Sequence, residues 1–580
     1  MLVGCIAPPN AENLLTQFLL SYTCLPAPAR PNTIPQFRLV DARYPPLTDS
    51  PSPFNIKGWA ALLRSYPGPL PFHLLRILRF GTQIGYTGPE AHILSANLQS
   101  ALLDTDAIQK KLSEDLRNRR VVRTSAEAPF ISSPLGLVPK HDGGYRRIHH
   151  LSHPRGTSVN DFIDDESAHL QYTSFQNVLT EVLYAGRHAV ILKKDIKDAF
   201  RNIPVAPHQQ WLLGFNWNGQ YYKETCLPFG LSTAPFLFNL FAEAFHWMIE
   251  SHLHWKHLRH YLDDFISIIE AQLATPERLA ANHEGYNALT DCLGIPRNDA
   301  KDCTGTVCTV LGIEIDTNTF EARLPKEKLD QAITATMEAL MQQSISLHDA
   351  QSLTGFLSFC SQAVRLGRVF MRRLWDFVAS YPPHCRSTIR RKIPSGVMDD
   401  LHWWNSLLPT YNGVLYFEES RDTIQLYTDA SLMGLGGFYF QEGFACWNEA
   451  TPYIRQEHAF AAIISDRDRV HINVHEVQAV LLAFQRWKTN WARKKVIVHT
   501  DSTTAHAGMR KHTLQGGANA PLRAILLLCA AEDILIEPIW LESERNGLAD
   551  ALSRLSRFDI TNYCPHWQNP LESMLLRLPL

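Results

Sequence analysis

No stretch of this 580-residue chain stays apolar for anything near the about 18 consecutive positions that a membrane-crossing helix needs. The opening residues, Met1-Leu2-Val3-Gly4-Cys5, lack the basic start of a secretory signal. The 11 cysteines include no Cys-x-x-Cys pair. Their closest grouping, Cys303 and Cys308, has no His/Cys partners at zinc spacing. An odd number of thiols without a secretory signal predicts reduced, mostly buried cysteines and an intracellular protein, in cytoplasm or nucleus. Neither sign of charge is in excess: 55 Lys+Arg against 57 Asp+Glu leave −2, a balance that does not favour nucleic acid by itself. Acidic catalytic sites can, however, offset basic grooves. Hydrophobic residues at 45% and charged residues at 19% match folded soluble domains, and the length predicts several of them.

Proline is concentrated at the start, with Pro26, Pro28, Pro31, Pro35, Pro45, Pro46, Pro51 and Pro53 in a leader over 1–57. That composition predicts an extended, partly disordered segment. Residues 58–125 have helical patterning, as at Leu112 and Leu116, and predict a helical extension without a legible function.

Further along, several segments place chemistry-bearing side chains at element ends. Two apolar stretches flank Asp142-Gly143-Gly144 and predict a β-hairpin that brings Lys140 and Arg146 near each other. Two such cations can clamp a polyphosphate, although surface hairpins often carry Lys and Arg. Ala189-Val190-Ile191-Leu192 predicts a buried strand, and Asp195 stands at its exit as a metal ligand or an ordinary cap. The loop Pro228-Phe229-Gly230 opens a helix that Ser232 or Thr233 can cap, with Phe236, Leu240, Phe241, Ala244, Phe245 and Met248 as its apolar stripe. Gly230 would let backbone approach a base or sugar. Tyr261-Leu262-Asp263-Asp264-Phe265 predicts strand, acidic turn, strand, a way to aim carboxylates at a hard cation, or else a solvated turn. Lys301 precedes a strand-like run, and residues 347–404 predict amphipathic helices with basic polar faces.

The last 160 residues start afresh. Asp429 and Asp501 end alternating strands, Glu476 opens a helix faced by Val477, Val480, Leu481, Phe484 and Trp487, and Asp550 lies in a final short helix. Four acids at element ends suggest a second oxygen-ligand metal site.

The ordered series Lys140/Arg146, Asp195, Pro228-Phe229-Gly230, Tyr261–Asp264, Lys301 resembles the fingers and palm motifs of reverse transcriptases. The order Asp429, Glu476, Asp501, Asp550 resembles the four acids of cellular-type RNase H. Gly85-Tyr86-Thr87-Gly88-Pro89, Ser158-Val159-Asn160-Asp161 and Ala549-Asp550-Ala551-Leu552-Ser553-Arg554 are most similar to the tyrosine-recombinase (DIRS-type) retrotransposons and their fungal relatives.

This resemblance implies a multidomain α+β and α/β protein. Fingers and palm would span 126–320, a helical thumb/connection 321–420, an RNase H-like domain 421–558 and a tail 559–580. It implies two Mg²⁺ (or Mn²⁺) ions per active site, with Asp195, Asp263 and Asp264 as ligands in the first and Asp429, Glu476, Asp501 and Asp550 in the second. It further implies triphosphate contacts from Lys140 and Arg146, a substrate-lining loop at Phe229 and Gly230, a steric gate at Phe200, and a general acid at Lys301. RNA template, DNA primer, RNA–DNA hybrid and dNTPs would be the partners, with recombinase or integrase on another chain. One departure stands out: Trp540 occupies the position of the mobile histidine that many RNase H enzymes carry. The rival expectation is a domesticated or decayed retroelement protein that binds nucleic acid without catalysis.

Overall fold

The computed structural model describes residues 45–139, 145–164, 169–364, 366–383, 385–411, 415–417, 421–441 and 454–577. They divide into two compact units: one runs to residue 311 and takes in 315–319, the other comprises 312–314 and everything from 320. The break falls close to the expected palm–thumb boundary, whereas 321–420 and 421–558 share one unit.

In the first unit a four-stranded antiparallel sheet carries the candidate site. Its strands are Val190–Asp195 (β1), Leu258–Tyr261 (β2), Asp264–Ile269 (β3) and Cys303–Gly305 (β4), in the order β4-β1-β3-β2. Strand β3 reads Phe-Ile-Ser-Ile-Ile after its aspartate and is buried on both faces, as a largely apolar run should be, its Ser267 hydroxyl donating to the Lys256 carbonyl (2.9 Å). Helix α1 (Ala234–Leu253) covers the sheet through Phe245, whose ring meets Phe265 edge-on at 5.0 Å. Tyr286 of helix α2 (Pro276–Leu293) joins the same cluster, 5.8 Å from Phe245. The expected stripe of α1 is core, with Leu240 only partly buried. Thr233 takes the N-cap position, but its hydroxyl donates to the Ile84 carbonyl (2.9 Å) rather than capping the helix.

The predicted hairpin forms from Leu135–Pro139 and Tyr145–His149, with Arg146 opposite Val138. Lys140 and the turn glycines lie outside the described residues. At the start of the chain, Phe54 is buried and stacks on Trp59 at 5.4 Å, so packed structure begins inside the expected leader. The segment 58–125 is not purely helical: His92–Leu94 and Val121–Thr124 are edge strands of a separate five-stranded sheet.

In the second unit, residues 347–404 form helices Leu347–Cys360, Arg372–Ala379 and the start of Ser395–Tyr411, interrupted by a strand at Arg390–Lys392. A six-stranded sheet follows, built from Thr423–Ala430 (β5), Gly434–Gln441 (β6), Ala459–Ile463 (β7), Lys495–Thr500 (β8), Leu535–Trp540 (β9) and Leu575–Arg577 (β10). Its order is β9-β8-β5-β6-β7-β10, with β5, β8 and β9 parallel to one another and β6 antiparallel to β5 and β7. Among the helices that accompany it are α3 (Ile472–Trp487), α4 (Asn519–Ala531) and α5 (Gly547–Ser553). Residues 559–577 are no loose tail: Ile560, Cys564, Trp567 and Met574 are buried in the core, and β10 pairs with β7. Within this unit the Arg523 guanidinium of α4 pairs with the fully buried Asp400 and donates to the Val369 carbonyl (3.2 Å), tying the helical segment to the sheet domain.

Cys303 and Cys308 form a disulfide, contrary to the expectation of reduced thiols throughout, because the tight turn after β4 brings the two side chains together. Cys226, Cys360 and Cys564 are free and buried as expected, and Cys529 is buried too.

Candidate active sites

Register decides the first site. Strands β1 and β3 pair so that Asp264 lies directly across from Asp195, while β2 and β3 leave only Leu262 and Asp263 for their turn. Leu262 closes that turn at φ 53°, in the left-handed region that non-glycine residues seldom occupy. The Asp263 carbonyl accepts from the Ile196 N–H (2.9 Å), which pins the turn to the exit of β1. Three carboxyl groups thus meet at one end of the sheet.

Their surroundings differ. Asp195, 4% exposed, accepts from the Asn298 amide on Oδ1 (2.8 Å) and from Lys301 Nζ on Oδ2 (3.3 Å). Asp264 pairs with Lys193 at 3.4 Å. Asp263 forms no ion pair among the described residues. Burial first, then the charges of Asp195 and Asp264, push its carboxyl up to about 6. Burial also raises Asp264, with Lys193 opposing the shift. Clustered carboxylates are hard oxygen donors that suit a divalent cation, although the three do not gather as tightly as the acids of the second site.

Beside this group, Phe200 packs on Phe229 (5.4 Å) and Phe238 (5.9 Å), and the Arg146 guanidinium lies over the Phe229 ring at 4.8 Å. Arg146, Phe229 and Phe200 are therefore contiguous. Gly230 makes a close approach, but to protein: a Cβ there, at φ 112°, would sit 1.9 Å from the His149 carbonyl oxygen. Only glycine allows this loop to lie against the hairpin, where the His149 N–H also donates to the Phe229 carbonyl (3.0 Å).

Sequence reading missed the supports. Asn298 holds Asp195 by side chain and by backbone, its N–H donating to the Asp195 carbonyl at 3.0 Å. It also missed a buried network behind the hairpin, in which Arg147 and Arg201 share Asp115 and Glu224. Nothing in spacing marks either, since the partners are up to 103 positions apart for Asn298 and Asp195.

The second site forms where parallel strands end side by side. Asp429 is the penultimate residue of β5 and Asp501 follows β8, its immediate neighbour. Glu476 comes from α3, one turn inside the helix rather than at its opening, because the helix begins at Ile472 with His471 as its cap. Of its predicted core face, Val477, Val480, Phe484 and Trp487 are buried and Leu481 is half-buried. Oxygens of Asp429, Glu476 and Asp501 all lie within 4.8 Å of one another. Asp550 stays outside that group, its carboxylate accepting from Arg554 Nε (2.7 Å), but its charge still reaches Asp429. Ser553 donates to Asp429 (2.6 Å) and Ser543 to Asp501 (2.6 Å), two supports that sequence reading missed.

Burial, aided by Asp429 and Asp501, pushes Glu476 up to about 9, and burial pushes Asp429 up to about 6. Glu476 Oε2 is buried without a hydrogen-bond partner. An orphaned carboxylate oxygen facing two further acids fits a divalent cation well. Trp540 is 47% exposed at the end of β9, its indole N–H donating to the Asp501 carbonyl (2.9 Å).

Residues 138–292 match the family model described as reverse transcriptase (RNA-dependent DNA polymerase). That span includes Arg146, Asp195, Phe200, Phe229, Gly230, Asp263 and Asp264. The Pro-Pol polyprotein of Simian foamy virus type 1 is 31% identical over 109 residues, and that of Feline foamy virus 27% over 109. Each alignment takes in 19% of this chain and 9% of the polyprotein. Among solved structures, a foamy viral protease–reverse transcriptase in complex with dsDNA is similar at 16% identity and TM-score 0.44, over 84% of this chain and 97% of that one. The same enzyme in complex with an RNA/DNA hybrid gives 16% identity and TM-score 0.43, over 83% and 62%. The family match makes the assignment: the chain contains a reverse transcriptase domain over residues 138–292.

Proposed function

We propose that the chain is an RNA-directed DNA polymerase with a tethered ribonuclease H, from a retroelement most like the DIRS-type group and its fungal relatives. The observation that carries the polymerase reading is the register of β1 and β3. It sets Asp264 across from Asp195, with Asp263 in the adjoining turn, inside the matched segment.

Phosphoryl transfer to a primer 3′-hydroxyl depends on placement and charge neutralisation more than on covalent chemistry. Asp195, Asp263 and Asp264 would hold Mg²⁺ or Mn²⁺, which when bound supplies activation of the hydroxyl and charge neutralisation at the leaving pyrophosphate. Arg146, its plane set by Phe229, offers a fork of donors to the triphosphate, and Lys140 is its expected companion. Lys301, 62% exposed along its side chain, is free to swing from Asp195 and protonate the leaving group.

Phe200 would fill the space that a ribose 2′-hydroxyl needs. Phe200→Ala is expected to raise ribonucleotide incorporation relative to deoxynucleotide by about 100-fold (~2.7 kcal/mol) in competition assays, and unchanged sugar selectivity removes that role.

Asp429, Glu476 and Asp501, supported by Asp550, favour hydrolysis of the RNA strand of a hybrid, with 2′-hydroxyls marking RNA. Wild-type protein should cleave a labelled hybrid in Mg²⁺ or Mn²⁺, and Asp501→Asn should cut the rate by about 100-fold. Absence of wild-type cleavage in both metals would make this domain a structural relic, as the lost histidine position at Trp540 allows.

The partners in this reading are RNA template, DNA primer, hybrid and dNTPs inside the cell, with recombination or integration supplied by a separate chain. Primer extension on an RNA template with all four dNTPs tests the whole reading. Asp263→Asn/Asp264→Asn is the control and should be inert. A wild-type protein that binds the primer–template but never extends it would instead be a nucleic-acid-binding derivative of such an enzyme.

A further inference from the structure

Lys194 is among the most deeply buried of the described side chains, 1% exposed, yet it is polar and pairs with a carboxylate. Strand alternation explains where it goes: Lys193 and Asp195 face the carboxylate site, and Lys194 points through the opposite face of β1. There its ammonium donates to Asp302 Oδ2 at 2.5 Å and to His283 Nδ1 of α2 at 2.6 Å, and it lies 5.4 Å from the Tyr286 ring centroid. Asp302 directly follows Lys301 and ends the short turn of residues 298–302.

That turn is therefore gripped from both faces of a single strand. In front, Asn298 and Lys301 donate to the Asp195 carboxylate. Behind, Asp302 is held by Lys194. The backbone of β1 between the two grips is also fixed, because the Asn298 N–H donates to the Asp195 carbonyl (3.0 Å) and Cys303 pairs with Lys193. A leucine at 194 would fill the apolar back face without burying any charge, and apolar replacement of a buried ion pair is often neutral or stabilising. The pair is a costly way to fill space and an effective way to hold one turn at one distance.

We infer that Lys194 and Asp302 are positioning residues for the polymerase step: their buried ion pair clamps the 298–302 turn to β1 and so sets where the Lys301 ammonium stands relative to Asp195. This rests on the polymerase reading given above. The clamp acts on Lys301, so its loss slows the chemical step and leaves nucleotide binding alone.

Lys194→Met/Asp302→Leu removes both charges together, avoiding an orphaned buried ion. It should melt within a few degrees of wild type while kcat for single-nucleotide addition falls at least tenfold and KM for dNTP changes less than twofold. On a Lys301→Ala background the same pair of changes should cost less than twofold more. Amide exchange at Asn298 and Lys301 should quicken at least tenfold. A wild-type kcat in the double variant, or an undiminished tenfold loss on the Lys301→Ala background, overturns the clamp. Should the double variant not fold, Asp302→Glu keeps the charge and lengthens the arm; kcat should then fall at least threefold with an unchanged melt, and a wild-type kcat overturns the proposal. If the wild-type chain does not extend a primer at all, the polymerase reading fails by itself. The exchange rates at 298–302 then decide the clamp, unchanged protection refuting it.

Discussion

Asp263→Asn is expected to lower the single-turnover rate of nucleotide addition by about 1000-fold, and Asp264→Asn by only about tenfold, a difference of ~2.7 kcal/mol in the barrier. The asymmetry follows from what each carboxylate already touches. Asp264 is neutralised by Lys193 at 3.4 Å, so part of its charge is already balanced within the protein. Asp263 has no such partner among the described residues and stands in the Leu262-Asp263 turn, fixed there by the hydrogen bond from Ile196 to its carbonyl. It is therefore the carboxylate with the most unneutralised charge to offer a bound cation.

Stability gives an independent check. The Asp263 carboxyl is raised to about 6 by burial and by the charges of Asp195 and Asp264, so at neutral pH its ionised form is less favourable in the folded protein than in the unfolded chain. A neutral amide relieves that repulsion. Asp263→Asn should therefore melt at or above the wild-type temperature while being nearly inactive, which separates lost chemistry from lost folding. Equal, mild losses for the two variants would reduce the motif to an acidic turn.

What could be read from the residues and what could not divide along a physical line. Elements announced themselves where one local pattern met one local need: the apolar run after Asp264 became a strand, and the stripe from Phe236 to Met248 became the buried face of a helix. The carboxylates were legible because strand ends and turns are where acids can be aimed, and Asp195, Asp429 and Asp501 all stand at such ends. Burial of charge was not legible. Lys194 reads as one of two adjacent lysines before an aspartate, and nothing local says that it, unlike Lys193, is sealed against Asp302 over 100 positions away. The same holds for Arg147 and Arg201, whose shared acids Asp115 and Glu224 come from distant segments. Gly230 was recognised as a close-approach glycine, but only the fold could say that the approaching group is the His149 carbonyl. Thr233 had the right place for a cap and a better partner in Ile84.

Divalent-cation affinity at Asp429, Glu476 and Asp501 should rise steeply with pH, by up to tenfold per unit between about pH 6 and pH 9, and level off above that. The cause is the protonation of the site. Glu476 is raised from 4.5 to about 9 by burial and by its acidic neighbours, and Asp429 from 3.8 to about 6, so at pH 7 Glu476 holds a proton that a cation must displace. Both groups bind protons more tightly in the folded domain than in the unfolded chain. Their contribution to stability is therefore fully present below the unfolded values near 4 and is lost as pH rises towards about 9. Without added metal, the melting temperature of the full chain should accordingly show a downward component over that range, which saturating Mg²⁺ removes by replacing the proton with a cation. Glu476→Gln provides the decisive comparison. It keeps the shape of the side chain, abolishes the titration, and should flatten the affinity–pH slope above pH 6 while binding Mg²⁺ more weakly at pH 9. Calorimetric titration in buffers of different ionisation enthalpy should count close to one proton released per site at pH 7. A pH-independent affinity in the wild type, or a slope that survives Glu476→Gln, would mean that the orphaned Oε2 of Glu476 is not where the cation binds.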